Sequence, residues 1–180
     1  SIFNNIDVCI VGSGIVGLNA AIHLKSNDSE LNVLVVERGF LPYGASTRNA
    51  GFACYGSLTE LLDDLTKESE EEVLKRVVMR FNGLQNLRAL LGDANIGYEP
   101  LGGYELFTPD DQQSFEKCME SMAHFNTLLK PLTNSSKTYI TADYGIEKFG
   151  LAGVNHLIAN QFEGQIDTGK MMECLANRAT

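Results

Sequence analysis

Ile6-Asp7-Val8-Cys9-Ile10-Val11-Gly12-Ser13-Gly14-Ile15-Val16-Gly17 is the stretch whose reading decides the fold. Ile6–Val11 is a short apolar run rich in β-branched residues that stops at a glycine, as a buried parallel strand does. From Gly14 to about Lys25, the residues Ile15, Leu18, Ala21, Ile22 and Leu24 recur at the spacing of a helix with one buried side. That helix ends before the turn cluster Ser26-Asn27-Asp28. Leu31-Asn32-Val33-Leu34-Val35-Val36 repeats the strand pattern, so the first 37 residues read as one βαβ unit.

The turn inside that unit matches G-x-G-x-x-G. Glycine makes up 17 of the 180 residues, so the match alone is weak evidence and a glycine-rich turn of an unrelated α/β protein is the plain alternative. Its context carries the argument: the motif follows a strand, opens a helix, and is answered at the end of the next strand by an acidic residue, Glu37. Gly12 permits the tight turn, Gly14 removes the Cβ that would keep a pyrophosphate away from the backbone, and Gly17 lets the helix lie close to the strands. The helix start at Ile15 and Val16 offers N–H groups and a partial positive charge to phosphates. Glu37 suits both ribose hydroxyls of an adenosine and repels a 2′-phosphate, which favours FAD or NAD over NADP.

The loop after Glu37 separates those two. Glu37-Arg38-Gly39 followed by Gly44-Ala45-Ser46-Thr47-Arg48-Asn49-Ala50-Gly51-Phe52 resembles the FAD-dependent amine and amino-acid oxidases of the D-amino-acid oxidase and glycine oxidase superfamily. The resemblance implies that Ser46 and Thr47 lie near the pyrophosphate and that Arg48, Asn49, Ala50 and Gly51 run beside the flavin ring. Small residues and backbone N–H groups let a chain pass close to a flat, electron-accepting ring. The same stretch can also be read as a surface loop of small residues, with Arg48 a solvent-facing charge. A fainter likeness extends to Gly164-Gln165-Ile166-Asp167, where the family carries a glycine-containing turn before a helix.

The fold expected is therefore α/β: a Rossmann-like βαβ FAD-binding core of the glutathione-reductase type with an inserted helical and β region. Residues 1–56 are assigned to the FAD-binding part, 57–163 to the insertion that begins a substrate domain, and 164–180 to a helix leading back. Family members continue past the position of Thr180 with a strand that contacts adenine, a substrate domain and a closing glycine-containing segment. The expectation is a piece of a longer protein, with a degenerate homologue as the alternative.

Within the insertion, Ser69 and Glu72 form a capping box for a long helix that buries Val73, Val77, Phe81, Leu84 and Leu91. Ile96–Phe107 suits one or two strands turning at Gly102-Gly103. Thr108, Pro109, Asp110 and Asp111 start a second helix whose Phe115, Met119, Met122 and Leu129 share a face. Short strands are expected near Thr138–Ala142 and Leu151–Leu157, and Asp167 caps a last helix with Met171, Met172 and Leu175 inward.

Bulk properties narrow the partners. A formal net charge of −9 disfavours nucleic acid, which demands clustered Lys and Arg. No apolar run reaches the roughly 18 residues of a membrane span, and the expected setting is cytoplasmic, with Cys9, Cys54, Cys118 and Cys174 as reduced, buried thiols. His23, His124 and His156 are each isolated in sequence and read as ordinary histidines. By resemblance, the full-length enzyme oxidises an amine or amino acid. Alternatives are an FAD-dependent hydroxy-acid or glycerol-phosphate dehydrogenase, a nicotinamide dehydrogenase, and a non-catalytic nucleotide-binding module. No catalytic residue and no oligomeric state follows from the sequence.

Overall fold

The computed structural model describes residues 5–40 and 42–180, which divide into two compact units. The first comprises the described part of Ser1–Gly51 with Arg88–Tyr98 and Ile166–Thr180; the second comprises Phe52–Leu87 and Glu99–Gln165.

In the first unit, strand β1 (Val8–Val11), helix α1 (Ile15–Asn27) and strand β2 (Val33–Val36) form the βαβ unit, with β1 and β2 parallel in the register Val8↔Val33 to Val11↔Val36. α1 buries Leu18, Ala21 and Ile22 and packs on α7 (Thr168–Ala179), which buries Met171, Met172 and Leu175. Burying each such Leu, Ile or Met side chain stabilises by about 1.5–3 kcal/mol. Short helix α4 (Asp93–Ile96), reached through the last turn of α3 (Glu70–Leu91), packs on α7 and buries Ile96 completely. Arg88 fastens this corner: its Nε and Nη2 donate to the two carboxylate oxygens of Asp93, both at 2.8 Å, and its guanidinium lies over the Tyr98 ring, 3.9 Å from the centroid. Asp167 caps α7 by accepting from the Lys170 N–H at 3.0 Å, as the sequence leads one to expect.

The second unit is built on a three-stranded antiparallel sheet, β4 (Gly103–Phe107), β5 (Tyr139–Thr141) and β6 (His156–Asn160), in the order β4-β6-β5. Strand β3 (Phe52–Ala53) pairs with β7 (Gly164–Gln165). Helices α2 (Leu58–Leu65), α5 (Gln112–Thr133) and the Glu70–Leu87 part of α3 share with one sheet face a core of Tyr55, Leu58, Leu61, Val73, Val77, Phe107, Phe125, Tyr139 and Ile158. The opposite face carries a smaller cluster of Ala142, Leu157 and Ala159, beside helix α6 (Tyr144–Lys148). The Ser69 cap is present: its hydroxyl accepts from the Glu72 N–H at 3.3 Å.

Several local expectations need correction. β1 is only half buried, with Cys9 and Val11 exposed, because among the described residues it has one neighbouring strand, β2. Gly102-Gly103 is not a turn between two strands. Ile96 ends a helix, Glu99 makes an isolated bridge to Gln165, and the glycine pair is the entry to β4. The strand expected at Leu151–Leu157 runs instead from His156 to Asn160. Thr108-Pro109-Asp110-Asp111 forms a reciprocal capping box around a single 3₁₀ turn before α5 begins. On α5 the inward stripe is Cys118, Phe125 and Leu129, with Phe115 and Met122 partly buried. Met119, four residues after Phe115 and three before Met122, lies at the edge of that stripe and is exposed. The cysteines are free but not uniformly buried, since Cys9 and Cys54 are exposed. His124 and His156 are not isolated in space: His124 Nε2 lies 2.5 Å from Glu70 Oε2, and His156 stacks on Phe115 with Nδ1 2.9 Å from Asp143 Oδ2.

Candidate functional site

The glycine-rich turn folds as its residue types require. Gly12 has φ +101°, a left-handed conformation that L side chains rarely adopt, and its N–H donates to the Val36 carbonyl at 2.7 Å, tying the turn to the end of β2. A Cβ on Gly17 would run into the carbonyl oxygen of Gly12 and lie 3.2 Å from Ile10 Cγ2, so the helix reaches the strand only because that side chain is missing. Gly14 is the N-cap of α1 in extended backbone, and it provides no side-chain cap. No acidic residue stands in the helix's first turn. Helix geometry leaves the first N–H groups of α1, those of Val16 and Gly17 among them, without intrahelical partners.

Two side chains converge on that helix start. Ser46 Oγ accepts from the Ile15 N–H at 3.0 Å, and a Cβ on Gly14 would sit 3.1 Å from the same oxygen. On the other side, Glu37 Oε2 accepts from Ser13 N–H at 2.9 Å and from Ser13 Oγ at 3.0 Å, while Oε1 accepts from Gly39 N–H at 3.0 Å. The Ser13 amide first, then the Gly39 amide and the Ser13 hydroxyl, hold the Glu37 carboxyl down at about 2. The group is thus an exposed acceptor, ionised at neutral pH, with lone pairs to spare.

The loop 44–51 is folded on itself. Thr47 and Arg48 N–H both donate to the Gly44 carbonyl at 3.1 Å, Asn49 Nδ2 donates to the Ala45 carbonyl at 3.0 Å, and Asn49 Oδ1 accepts from Gly51 N–H at 2.9 Å. Gly51 has φ +75° and lies against the Ile166 carbonyl, where a Cβ would collide; its own carbonyl accepts from Ile166 N–H at 2.8 Å. Thr168 Oγ1 donates to the Thr47 carbonyl at 3.0 Å.

Of the residues singled out in sequence, Gly12, Gly14, Ile15, Gly17, Glu37 and Ser46 come together around the start of α1. Val16 points outward at 80% exposure. Thr47 does not present its hydroxyl to that point, because it donates to the Pro42 carbonyl at 2.5 Å. Arg48, Asn49 and Ala50 are exposed, the Arg48 guanidinium 5.8 Å from the centroid of the Tyr43 ring, and Arg38 is exposed beside Glu37. Sequence reasoning missed Ser13 as the partner of Glu37 and Thr168 as the clamp on the loop. Ser13 stood at a position the motif leaves open, and the pairing of Thr168 with Thr47 spans 121 residues.

Among the described residues no helix is long and apolar enough to cross a membrane, and no cluster of His, Cys, Asp or Glu could hold a metal ion.

The profile of the DAO family, described as FAD dependent oxidoreductase, matches residues 7–180. No curated protein matches the chain significantly in sequence. Among solved structures, glycine oxidase from Bacillus cereus superposes with a TM-score of 0.64 at 20% identity, over 97% of this chain and 44% of that one. L-Amino acid deaminase from Proteus myxofaciens gives 0.66 at 17% identity, over 97% and 36%. L-α-Glycerophosphate oxidase from Mycoplasma pneumoniae, solved with FAD bound, gives 0.61 at 17%, over 96% and 42%. The likeness is one of fold, and the chain spans less than half the length of each of these proteins.

Proposed function

Because the chain belongs to the DAO family of FAD-dependent oxidoreductases, we propose that its first unit holds the ADP half of FAD and that the intact protein oxidises an amine or amino acid. The observation that carries the reading is the convergence on the start of α1. Glu37, held ionised by Ser13 and Gly39, stands on one side, Ser46 on the other, and the bare backbone of Gly14 between them. In this reading the Rossmann-like βαβ core is of the glutathione-reductase type, residues 1–56 and 164–180 serve the cofactor, and 57–163 begin the substrate domain.

The residues present fit the group. A pyrophosphate needs N–H donors and a surface without a carboxylate or Cβ in the way, which the first turn of α1 offers. Glu37 would accept the adenosine ribose hydroxyls and repel a 2′-phosphate. Ser46 takes the Ile15 N–H and so fixes the loop 44–51 beside the helix start, and Gly51, closed against Ile166, would bring that loop near the ring with no side chain at its nearest point. Arg48, Asn49 and Ala50 would flank the ring. Bound FAD supplies the electron-accepting ring that takes a hydride from the carbon bearing the amine; the protein's share is to orient that carbon and exclude competing reactions.

The structural likeness to a glycerophosphate oxidase supports a second reading in which the substrate is a hydroxy compound. One experiment tests both. The intact protein is purified, its absorption spectrum recorded, and a panel of amines and hydroxy acids added without oxygen. Flavin bands that bleach with an amine and yield ammonia support the first reading. Bleaching with a hydroxy acid alone supports the second, and a colourless protein that cannot be reconstituted with FAD overturns both.

A further inference from the structure

The acceptor sites of Glu37 are nearly full before any ribose reaches them. An ionised carboxylate offers about four lone-pair sites. Oε2 accepts the Ser13 N–H at 2.9 Å and the Ser13 hydroxyl at 3.0 Å, and Oε1 accepts the Gly39 N–H at 3.0 Å. The spare capacity of the group comes to about one hydrogen bond, on Oε1. An adenosine ribose brings two adjacent hydroxyls, so one protein donor has to leave before both can be accepted.

Chain geometry decides which donor can leave. The Gly39 N–H, and the Arg38 amide that adds a weaker pull, follow Glu37 directly in the chain. The Ser13 N–H belongs to a turn tied to the end of β2 by the Gly12 N–H, which donates to the Val36 carbonyl at 2.7 Å. These are backbone groups, and none can turn away without moving the turn or the strand end. The Ser13 hydroxyl is different. It swings on a single torsion between staggered positions, its residue is only partly buried, and Glu37 is its hydrogen-bond partner among the described residues.

Resting on the placement of the ADP half of FAD at the start of α1, we infer that Ser13 sets how this site discriminates between riboses. Its hydroxyl occupies the position on Glu37 that a second ribose hydroxyl needs, and it swings away when a complete ribose binds. A nucleotide with a single ribose hydroxyl takes the free position on Oε1 and leaves Ser13 in place. The complete ribose therefore gains less over a deoxyribose than an unoccupied carboxylate would give it, because one bond from Ser13 is lost in exchange.

The intact protein, stripped of flavin, is titrated by calorimetry with ADP, 2′-deoxy-ADP and 3′-deoxy-ADP, as wild type, Ser13→Ala and Ser13→Thr. Far-ultraviolet circular dichroism confirms that each variant is folded. Ser13→Ala keeps the backbone N–H and vacates the contested position in advance. It should bind ADP roughly 3–10-fold more tightly than wild type does, the worth of one hydrogen bond, and change each deoxy nucleotide by less than about 2-fold. Ser13→Thr, which retains a hydroxyl, should keep the wild-type ratio of ADP to the deoxy nucleotides. An equal gain for all three nucleotides, no gain for ADP in folded Ser13→Ala, or a threonine variant that follows alanine overturns the role of Ser13 while leaving the cofactor site standing. Uptake of FAD without any binding of ADP overturns it too, by putting the ribose away from Glu37. A protein that binds neither ADP nor FAD refutes the cofactor site itself, and the role of Ser13 with it.

Discussion

The hydroxyl of Ser46 accepts the backbone N–H of Ile15 at 3.0 Å, joining two segments 31 residues apart at the first turn of α1. Ile15 is the first residue of α1, so its N–H has no intrahelical partner, and Ser46 satisfies it from a distant loop. Ser46→Ala should destabilise the fold by about 1 kcal/mol, the usual worth of a helix-start side-chain acceptor. It should also loosen the loop 44–51 and weaken FAD retention. Urea unfolding and flavin content after dialysis check the two effects separately.

Gly14 and Gly17 differ in what they protect. Gly14 has φ −70° and ψ 178°, which any residue adopts, and an added Cβ would meet only Ser46 Oγ. Gly14→Val should therefore leave helical circular dichroism nearly unchanged while abolishing FAD retention. Gly17→Ala drives a methyl into the Gly12 carbonyl, backbone that cannot step aside, and should cost about 1–3 kcal/mol of stability whether or not flavin is bound. Normal flavin content in folded Gly14→Val would place the pyrophosphate elsewhere.

Glu37 links stability to acidity. Its carboxyl lies at about 2 in the folded chain against an ordinary 4.5, so the unfolded state binds the proton more readily. The stability drawn from its bonds to Ser13 and Gly39 is fully present above pH 4.5 and is lost as pH falls from there toward 2. Glu37→Gln should remove that part of the pH dependence and flatten the stability profile within this window. Denaturant midpoints measured at successive pH values for both proteins provide the comparison.

Cysteine chemistry reports on packing. Cys118 is fully buried, and burial, with Glu105 adding to it, pushes its thiol up to about 12. Desolvation, then Glu163 and Glu60, also raise the Cys54 thiol. In mildly alkaline buffer iodoacetamide should modify exposed Cys9 first and Cys54 more slowly, and it should reach Cys118 only after urea unfolding. Peptide mass mapping over time reads the order.

The sequence by itself determined the βαβ unit and the centre of the candidate site. Period-2 and period-3.6 patterns, glycine at three fixed spacings and an acid at the end of the second strand are local signals, written within 37 consecutive residues. The caps at Ser69 and Asp167 were legible for the same reason, since a cap and the amide it serves lie within three residues. Only the tertiary structure decided that Ser13 holds Glu37 and that Ser46 serves Ile15. It also decided that Thr168 fixes Thr47, and that Gly103 enters a strand opposite Asn160 instead of turning a hairpin. Each of these depends on segments separated by 24 to 121 residues or on the register of neighbouring strands. Side-chain partners at such distances are chosen by packing, and no local pattern encodes them.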